Sequence, residues 1–298
     1  MTKRGRRARE PRPGAPRDPA SSGHRAGSRP EPHALYEVAV QGVDWDLDFL
    51  ERVWRRRHPG QAPRRFREDF CSTAALATAW ARRGPDRLAW GVDLDPEPLA
   101  WAREHRLPWA RDAARRVRLV RGDVRRVRLP RVDIACALNF SWWVFHERAE
   151  LLRYLRAARE GLVPGGVQVM NLFGGRGAER ALIERTRKRA ENGPDGVMLP
   201  PFTYVWEHER YNPVDRRLAA HIHFELRNGR TIRRAFSYDW RMYTIPELRD
   251  ALLEAGFRDA EVWSEGWDAH HGGGNGTLYR RRHLDNGDTW IAYVVATK

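Results

Sequence analysis

Apolar segments of strand character alternate with helical segments between Leu35 and Gly174, and this alternation constrains the fold more than any other feature. The apolar segments are LAWGVDLD (88–95), VRLVRGD (117–123), VDIACALNF (132–140) and GVQVMNLF (166–173). The stretch before the last of them has helical spacing, with apolar side chains at Leu151, Leu155, Ala158 and Leu162. Strands that alternate with helices in this way predict an α/β fold with a doubly wound, mostly parallel sheet.

The alternation ends after Gly174, where a different pattern begins. We expect a connector over 175–200, charged and helical up to residue 192 and loop-like beyond it. Strict apolar–polar alternation follows in RLAAHIHFELR (217–227), and Asn228-Gly229 is a strong signal for a two-residue hairpin turn. The sequence therefore predicts a small antiparallel β insertion over residues 201–243.

The two ends of the chain differ in character. Residues 1–33 are rich in Arg, Pro, Gly and Ser and predict a disordered basic tail, so the α/β domain is expected over 34–174 and again over 244–298. Thr244 and Glu247 form a capping-box pattern that begins a helix in this last part. We expect two closing strands after that helix, near 258–264 and 289–296. A mobile glycine-rich loop with His270 and His271 separates them and is a candidate active-site lid.

The basic charge leaves one class of partner open. The net charge is +15, and residues 1–33 contribute nine Arg or Lys against three Asp or Glu. Such a charge raises the rate of encounter with any polyanion, so nucleic acid remains a possible acceptor or partner.

Cysteine content and hydropathy indicate the compartment. Cys71 and Cys136 are the only cysteines and lack CxxC spacing, which argues against a disulfide framework or a zinc site. No run of apolar residues approaches the ~20 needed to cross a bilayer, and the N-terminus lacks the apolar stretch of a secretory signal. We therefore expect a cytoplasmic protein without membrane contact.

The segment REDFCSTAALA (67–77) stands where the connection after the first strand of such a sheet normally meets a nucleotide-like ligand. A dinucleotide pyrophosphate requires GxGxxG there, because the backbone must approach the phosphates closely. The segment contains no glycine. This argues against an NAD or FAD site and leaves room for a ligand without phosphate.

Polar residues stand at the ends of three successive predicted strands. They are Asp93, the group Gly122-Asp123-Val124, and the group Asn139-Phe140-Ser141. The carboxylate at 93 can accept hydrogen bonds from two ribose hydroxyls, and the group around 123 is placed to meet an adenine edge. Because the carboxyl ends of parallel strands share one edge of a sheet, these residues predict a nucleoside site.

These segments resemble the class I S-adenosylmethionine-dependent methyltransferases. EDFCSTA is similar to their first motif, GVDLDPEPLAWA to the second, RGDV to the third, and GLVPGGVQVM to the turn before strand five. The resemblance covers about 34–174 and 244–298 and implies a Rossmann-like, mostly parallel seven-stranded sheet. The inserted antiparallel β subdomain is similar to one found in a subgroup of these enzymes. Phe70, Ser72 and Ala74 stand at the family's glycine positions.

The resemblance implies S-adenosylmethionine as the cofactor and methyl transfer as the activity. It places Glu68 near the sulfonium or amino group, although Glu68 could instead pair with Arg65 or Arg67. The remaining positions that it implies as cofactor contacts are Phe70, Cys71 and Ser72 through the backbone, Asp93 and Leu94 at the ribose and adenine, Asp123 and Val124 at the adenine edge, and Asn139 and Phe140 beside the transferred methyl.

The acceptor is expected to be a small molecule, because an inserted lid suits an enclosed site. Candidate acceptor contacts lie after strand four and in the insertion: Trp142, Trp143, His146, Tyr204, His221, His223 and Tyr243. His221 and His223 are also candidate catalytic bases, and no third ligand beside them suggests a metal. For the two tryptophans, a core or cap-packing role is the favoured alternative. An RNA or protein methyltransferase and a non-catalytic S-adenosylmethionine-binding module remain the alternatives.

Overall fold

The structure is a computed structural model, and it describes residues 31–193, 196–268, 270 and 273–298. The predicted disordered tail lies outside the described residues up to position 30. Pro32 and His33, which we assigned to the tail, begin the first helix instead. Proline is favoured at this position because its fixed φ suits the first helical turn and its missing N–H would have no helical partner.

In chain order the strands are β1 (Arg65–Asp69), β2 (Leu88–Asp93), β3 (Val117–Arg121), β4 (Val132–Ala137), β5 (Leu162–Gly174), β6 (Leu182–Lys188), β7 (Glu191–Asn192), β8 (Met198–Leu199), β9 (Phe202–Asn212), β10 (Arg217–Leu226), β11 (Thr231–Arg241), β12 (Asp259–Asp268), β13 (Gly273–Arg281) and β14 (Trp290–Thr297). The helices are α1 (Pro32–Val40), α2 (Val43–Arg57), α3 (Ala75–Arg82), α4 (Pro96–Trp101), α5 (Leu107–Trp109), α6 (Arg148–Glu160) and α7 (Ile245–Glu254).

The main sheet confirms the predicted α/β class. Its order is β13-β12-β14-β5-β4-β1-β2-β3, and the five strands from β5 to β3 are parallel. Both faces are buried: α2 and α3 pack on one, and α6 and α7 on the other. The chain order reverses between β1 and β4, so their carboxyl ends form the switch point where ligands bind in such sheets.

The sheet has eight strands rather than the seven expected, because β13 joins its edge. We predicted a glycine-rich loop at 270–276, and this was wrong from Gly273 onward. At Gly274 a Cβ would come within 2.2 Å of the Glu265 carboxyl carbon. The glycine therefore permits a close side-chain approach within a strand, a role that glycine also has in sheets. His271 lies outside the described residues.

The insertion is a separate antiparallel sheet in the order β11-β10-β9-β6. The predicted helical connector over 175–192 was wrong, because β6 (Leu182–Lys188) pairs with β9 along its whole length. This strand lies at the edge of the sheet and exposes most of its charged side chains. Charged edge strands lack the apolar alternation that signals a strand, and they protect the edge from further pairing.

The alternation predicted for β10 is confirmed. Leu218, Ala220, Ile222 and Phe224 are all at most 2% exposed and form the inner face of the insertion sheet. This face packs against α1 and against the switch-point edge of the main sheet. The insertion and α1 together cover that edge.

Candidate active site

The turn after β1 has the backbone conformation that normally favours glycine. Phe70, Ser72 and Ala74 have φ angles of 58°, 47° and 54°. The left-handed region costs a residue with a Cβ roughly 1 kcal/mol or more. These are the three positions at which the resembled family has glycine, so the turn keeps the conformation without the residue that makes it easy.

Close packing of this turn on the sheet depends on a glycine in the neighbouring strand. A Cβ at Gly91 on β2 would lie 2.9 Å from Cys71 Sγ and 3.2 Å from the Ala74 Cβ. Cys71 is 1% exposed and Ala74 is fully buried. The space that the turn needs is therefore provided by β2.

Asp93 at the end of β2 meets the same turn. Its Oδ2 accepts a hydrogen bond from the Ser72 backbone N–H at 2.7 Å, and its Oδ1 accepts one from the Asp95 N–H at 3.0 Å. Burial raises the pKa of Asp93, and these two hydrogen bonds act in the opposite direction. Leu94 beside it is 66% exposed, which leaves an apolar surface beside the carboxylate.

Asp123, after β3, is engaged by a neighbouring arginine. Arg125 donates to both carboxylate oxygens, with Nη2 at 2.7 Å from Oδ2 and Nε at 2.9 Å from Oδ1. These hydrogen bonds lower the pKa of Asp123. The next residue, Val124, is buried. The sequence pattern gave no indication of this pairing.

Asn139 and Phe140 follow β4 with φ angles of 53° and 60°. The Phe140 N–H donates to Asn171 Oδ1 at 3.1 Å, so a side chain of β5 holds this turn in place. The Phe140 ring lies 4.8 Å from the Phe173 ring, between centroids. The tip of β4 thus presents an aromatic side chain at the centre of the sheet edge.

Glu68 on β1 is 8% exposed, and its Oε2 accepts the Ala77 N–H at 2.8 Å. Its pKa is raised to about 8, mainly by burial and to a smaller extent by the nearby carboxylates of Asp93, Asp46 and Asp69. The alternative that Glu68 pairs with Arg67 is wrong, because Arg67 contacts Asp69 at 3.0 Å. Glu68 is therefore a buried acid that a cation could ionise.

Helix α1 and the insertion sheet contribute three tyrosines near the covered edge, and one of them interacts with Glu68. Tyr36 of α1 interacts electrostatically with Glu68 and hydrogen-bonds to Tyr238 of β11, and Tyr204 of β9 lies near Tyr36. We call Tyr36, Tyr204 and Tyr238 the tyrosine cluster. Sequence reasoning named Tyr204 but missed the other two. The alternation in β11 was a usable signal for Tyr238, whereas nothing local distinguishes Tyr36.

Aromatic rings continue from the tyrosine cluster across the inner face of the insertion. The Tyr238 ring stacks on Trp240 with centroids 4.3 Å apart, and Trp240 lies 6.1 Å from Phe140. Trp206 and His208 extend the surface to Phe173 on β5. The switch-point edge is therefore covered by an aromatic surface with a few hydroxyl groups.

Several predicted acceptor contacts have structural roles instead. Trp142 and Trp143 have no exposed surface, and Trp142 Nε1 donates to the Asn171 carbonyl at 2.7 Å. Tyr243 is 3% exposed and donates its hydroxyl to the Phe145 carbonyl at 2.7 Å. These side chains belong to the core. His146 is half-buried, with Nε2 2.8 Å from the Asp239 carbonyl oxygen.

The two candidate bases lie on the wrong face of the insertion. His221 contacts Ser237 Oγ at 2.8 Å and Glu209 at 3.1 Å, and His223 contacts Glu207 at 2.7 Å. Because side chains alternate along a strand, both point away from the inner face that covers the sheet edge. They therefore do not reach the switch point.

Two further properties bear on the site. No group of three or more His, Cys, Asp or Glu side chains in the described ranges is arranged to hold a metal ion. Among the same residues, no helix is long and apolar enough to cross a membrane.

Comparisons with known proteins agree with this geometry. Residues 69–170 match a sequence family described as methyltransferase domain. An S-adenosylmethionine-dependent methyltransferase from Clostridium acetobutylicum has a TM-score of 0.62 at 14% identity, over 88% of this chain and 96% of that one. CalS10, an amino pentose methyltransferase from Micromonospora echinaspora, has 0.59 at 23% identity, over 89% and 95%. KedS8, a sugar N-methyltransferase from Streptoalloteichus, has 0.59 at 20% identity, over 96% and 99%.

No curated protein sequence matches the chain. The family match begins at Asp69, the last residue of β1, and ends within β5, so it includes Asp93 and Phe140 but not Glu68. The solved structures share the surrounding fold over most of their length. Together these findings show a methyltransferase domain over residues 69–170, within a fold that is similar to that of S-adenosylmethionine-dependent methyltransferases and that carries an inserted antiparallel subdomain.

Proposed function

We propose that this enzyme methylates an amino group of a small molecule at the switch-point edge, beneath α1 and the insertion sheet. The observation that carries the proposal is the chemistry of the covering surface. It offers aromatic rings and protonated hydroxyls, and the imidazole of His208 on the inner face of the insertion sheet is already hydrogen-bonded.

The residues present fit the cofactor. Glu68 is a buried acid whose ionised form a sulfonium or ammonium group would stabilise. Asp93 has carboxylate lone pairs left for ribose hydroxyls beyond the two hydrogen bonds that it accepts, and the exposed face of Leu94 suits a flat base. The Asp123 carboxylate already binds Arg125, so it would have to accept a hydrogen bond from the adenine amino group in addition. When bound, S-adenosylmethionine supplies a methyl group on a positively charged sulfur.

The tyrosine cluster stays protonated at neutral pH. Burial raises the pKa of Tyr36 to about 12 and also raises the pKa values of Tyr204 and Tyr238. Protonated hydroxyls position a nucleophile through hydrogen bonds, but they do not remove its proton.

His208 is the imidazole on the inner face, and it is already engaged. Burial lowers its pKa, so the ring is neutral, and Nε2 accepts the Trp206 indole N–H at 2.9 Å. An alcohol is a poor nucleophile unless a base takes its proton, whereas an uncharged amine attacks with its own lone pair. An amine that accepted the methyl group would lose its proton only afterwards, so its attack would need no base. The residues at this surface therefore favour an amine over an alcohol.

The similar structures support the choice of substrate class. CalS10 is an amino pentose methyltransferase, and KedS8 is a sugar N-methyltransferase. At 23% and 20% identity these likenesses establish the fold alone, so amino sugars enter here as the first compounds to test. The ring-lined surface suits them, because apolar sugar faces pack on aromatic rings while the hydroxyls reach polar groups.

The test uses matched pairs of sugars that differ only in an amine or a hydroxyl at one carbon. Methyl-labelled S-adenosylmethionine is incubated with the full chain and each sugar, and label in the sugar is counted. We expect transfer to amino sugars and none to their hydroxyl counterparts. Equal transfer to both members of a pair would show that the enzyme activates alcohols, and the proposal would be wrong.

Two variants connect the activity to the inner face. Tyr238→Phe removes one hydroxyl of the tyrosine cluster, and we expect kcat/KM to fall about tenfold, the effect of one hydrogen bond of ordinary strength. His223→Gln is the matched control on the outer face of the same sheet and should leave kcat/KM unchanged. A loss of activity in the control without a loss in Tyr238→Phe would reverse the assignment of faces.

A further inference from the structure

We propose that a cleft between α6 and the segment after β3 binds a small molecule through a phosphate or diphosphate group. The cleft has a volume of about 240 Å³ and is lined by Arg125, Arg126, Arg128, Arg153, Arg156, Ala157 and Glu160. Arg125 also pairs with Asp123 at the switch-point edge, and the other lining residues lie outside that edge. The proposed cleft site is additional to the proposed methylation.

Local structure explains why the arginines converge. On α6, Arg153, Arg156, Ala157 and Glu160 follow the spacing of one helix stripe, opposite the buried stripe of Leu151, Leu155 and Ala158. Across the cleft, the Asp123 carbonyl accepts the N–H groups of Arg126 and Val127 at 2.8 and 2.9 Å. This turn directs the 125–128 segment toward the helix, so two elements of different origin supply the guanidinium groups.

The charges of the cleft are only partly balanced. Glu150 contacts Arg125 at 3.0 Å and Arg153 at 2.6 Å. The Glu160 carboxylate is 3.7 Å from Arg128, and both side chains are mostly exposed. No carboxylate among the described residues forms an ion pair with Arg126 or Arg156. At least two guanidinium groups of the cleft therefore have no carboxylate at ion-pair distance, although Asp123 and Glu254 interact electrostatically with Arg126 and Arg156 from farther away.

This arrangement selects the class of ligand. Guanidinium groups present a planar fork of donors that matches phosphate oxygens, and several arginines around one cleft suit a multivalent anion better than a single carboxylate. Ala157 contributes little bulk on the helix side, so an anion can approach α6 between Arg153 and Arg156. The cleft is concave and local, which favours one phosphate or diphosphate group over an extended nucleic-acid backbone.

The test measures binding of inorganic diphosphate to the full chain by calorimetry at low ionic strength. The double variant Arg126→Glu/Arg156→Glu places two negative charges in the cleft, and Ala157→Glu places one there without removing an arginine. Arg233→Glu is the matched control, because Arg233 is an exposed arginine of the insertion sheet. We expect the two cleft variants to lose at least tenfold in affinity while the control matches the wild type. Thermal unfolding of each variant verifies that the fold is retained.

Three outcomes would overturn the proposal. One is that wild type does not bind diphosphate, and another is that the control loses affinity as much as the cleft variants. The third comes from a parallel titration with a single-stranded RNA oligonucleotide. If the double variant abolishes RNA binding while diphosphate binds equally to all proteins, the cleft is part of a nucleic-acid surface instead. The proposal is supported if both cleft variants bind diphosphate more weakly and the control binds it as the wild type does.

Discussion

The buried carboxyl of Glu68 gives a quantitative prediction about stability and pH. Its pKa is raised from 4.5 to about 8 in the folded chain, while in the unfolded chain it returns to its ordinary value. Between these two pH values the folded state holds a proton that the unfolded state has lost. The free energy of unfolding contributed by Glu68 is therefore full below pH 4.5 and decreases as the pH rises toward 8.

The slope follows from linkage, at about 1.4 kcal/mol per pH unit for one proton. From pH 5 to pH 7 the contribution is a loss of roughly 3 kcal/mol of stability. Glu68→Gln removes the titration, and a glutamine carbonyl can still accept the Ala77 N–H. We expect the free energy of unfolding of the variant to depend less steeply on pH by about this amount.

Urea unfolding at half-unit steps of pH, without cofactor, measures both profiles. Asp46 also titrates in this range, because burial raises its pKa to about 7, so the wild-type slope contains both groups. The difference between the two profiles reports the titration of Glu68 together with its electrostatic interaction with Asp46. Parallel profiles for wild type and variant would refute the reasoning, since they would show that Glu68 has its ordinary pKa in the folded chain.

Three further predictions concern the turn after β1 and its neighbours. Asp93→Ala should weaken S-adenosylmethionine binding at least tenfold by calorimetry, because the ribose would lose its acceptor; unchanged affinity would move the ribose elsewhere. Gly91→Ala should destabilise the chain by about 1–3 kcal/mol in urea unfolding, as an overpacked core does, since its Cβ would lie 2.9 Å from Cys71 Sγ. Ala74→Gly should be neutral or stabilising by up to about 1 kcal/mol, because it relieves a left-handed φ of 54°. A clear loss of stability in that variant would show that the Ala74 methyl packs more favourably than the backbone is strained.

The central strands were predictable because they are buried on both faces. β2, β4 and β5 are continuous apolar segments, and their sequence shows this directly. β6 was missed because an exposed edge strand needs no apolar alternation, and β13 because its glycines resemble a loop. Local sequence patterns therefore predict the buried strands, and they miss the strands at the exposed edges.

The site was predictable to the same extent. Asp93 and Phe140 lie at strand ends, and the order of strands brings strand ends together. The position of Tyr36 depends on how α1 packs on the insertion, and the pairing of Asp123 with Arg125 depends on a side-chain conformation. Neither is encoded in periodicity. His221 and His223 were chosen for their residue type, and strand alternation placed them on the outer face.

The turn at residues 70–74 has a consequence for the free energy of cofactor binding. A glycine-rich turn samples many conformations when empty, and ordering it on binding costs conformational entropy. Side chains on Phe70, Ser72 and Ala74 narrow that range, and Cys71 is fixed against Gly91. The turn is then held near its binding conformation before the ligand arrives. The left-handed backbone of these residues is unfavourable in the folded chain, but it leaves the turn with less conformational entropy to lose on binding. We therefore expect cofactor binding to lose less entropy in this turn than it would in a glycine-rich turn.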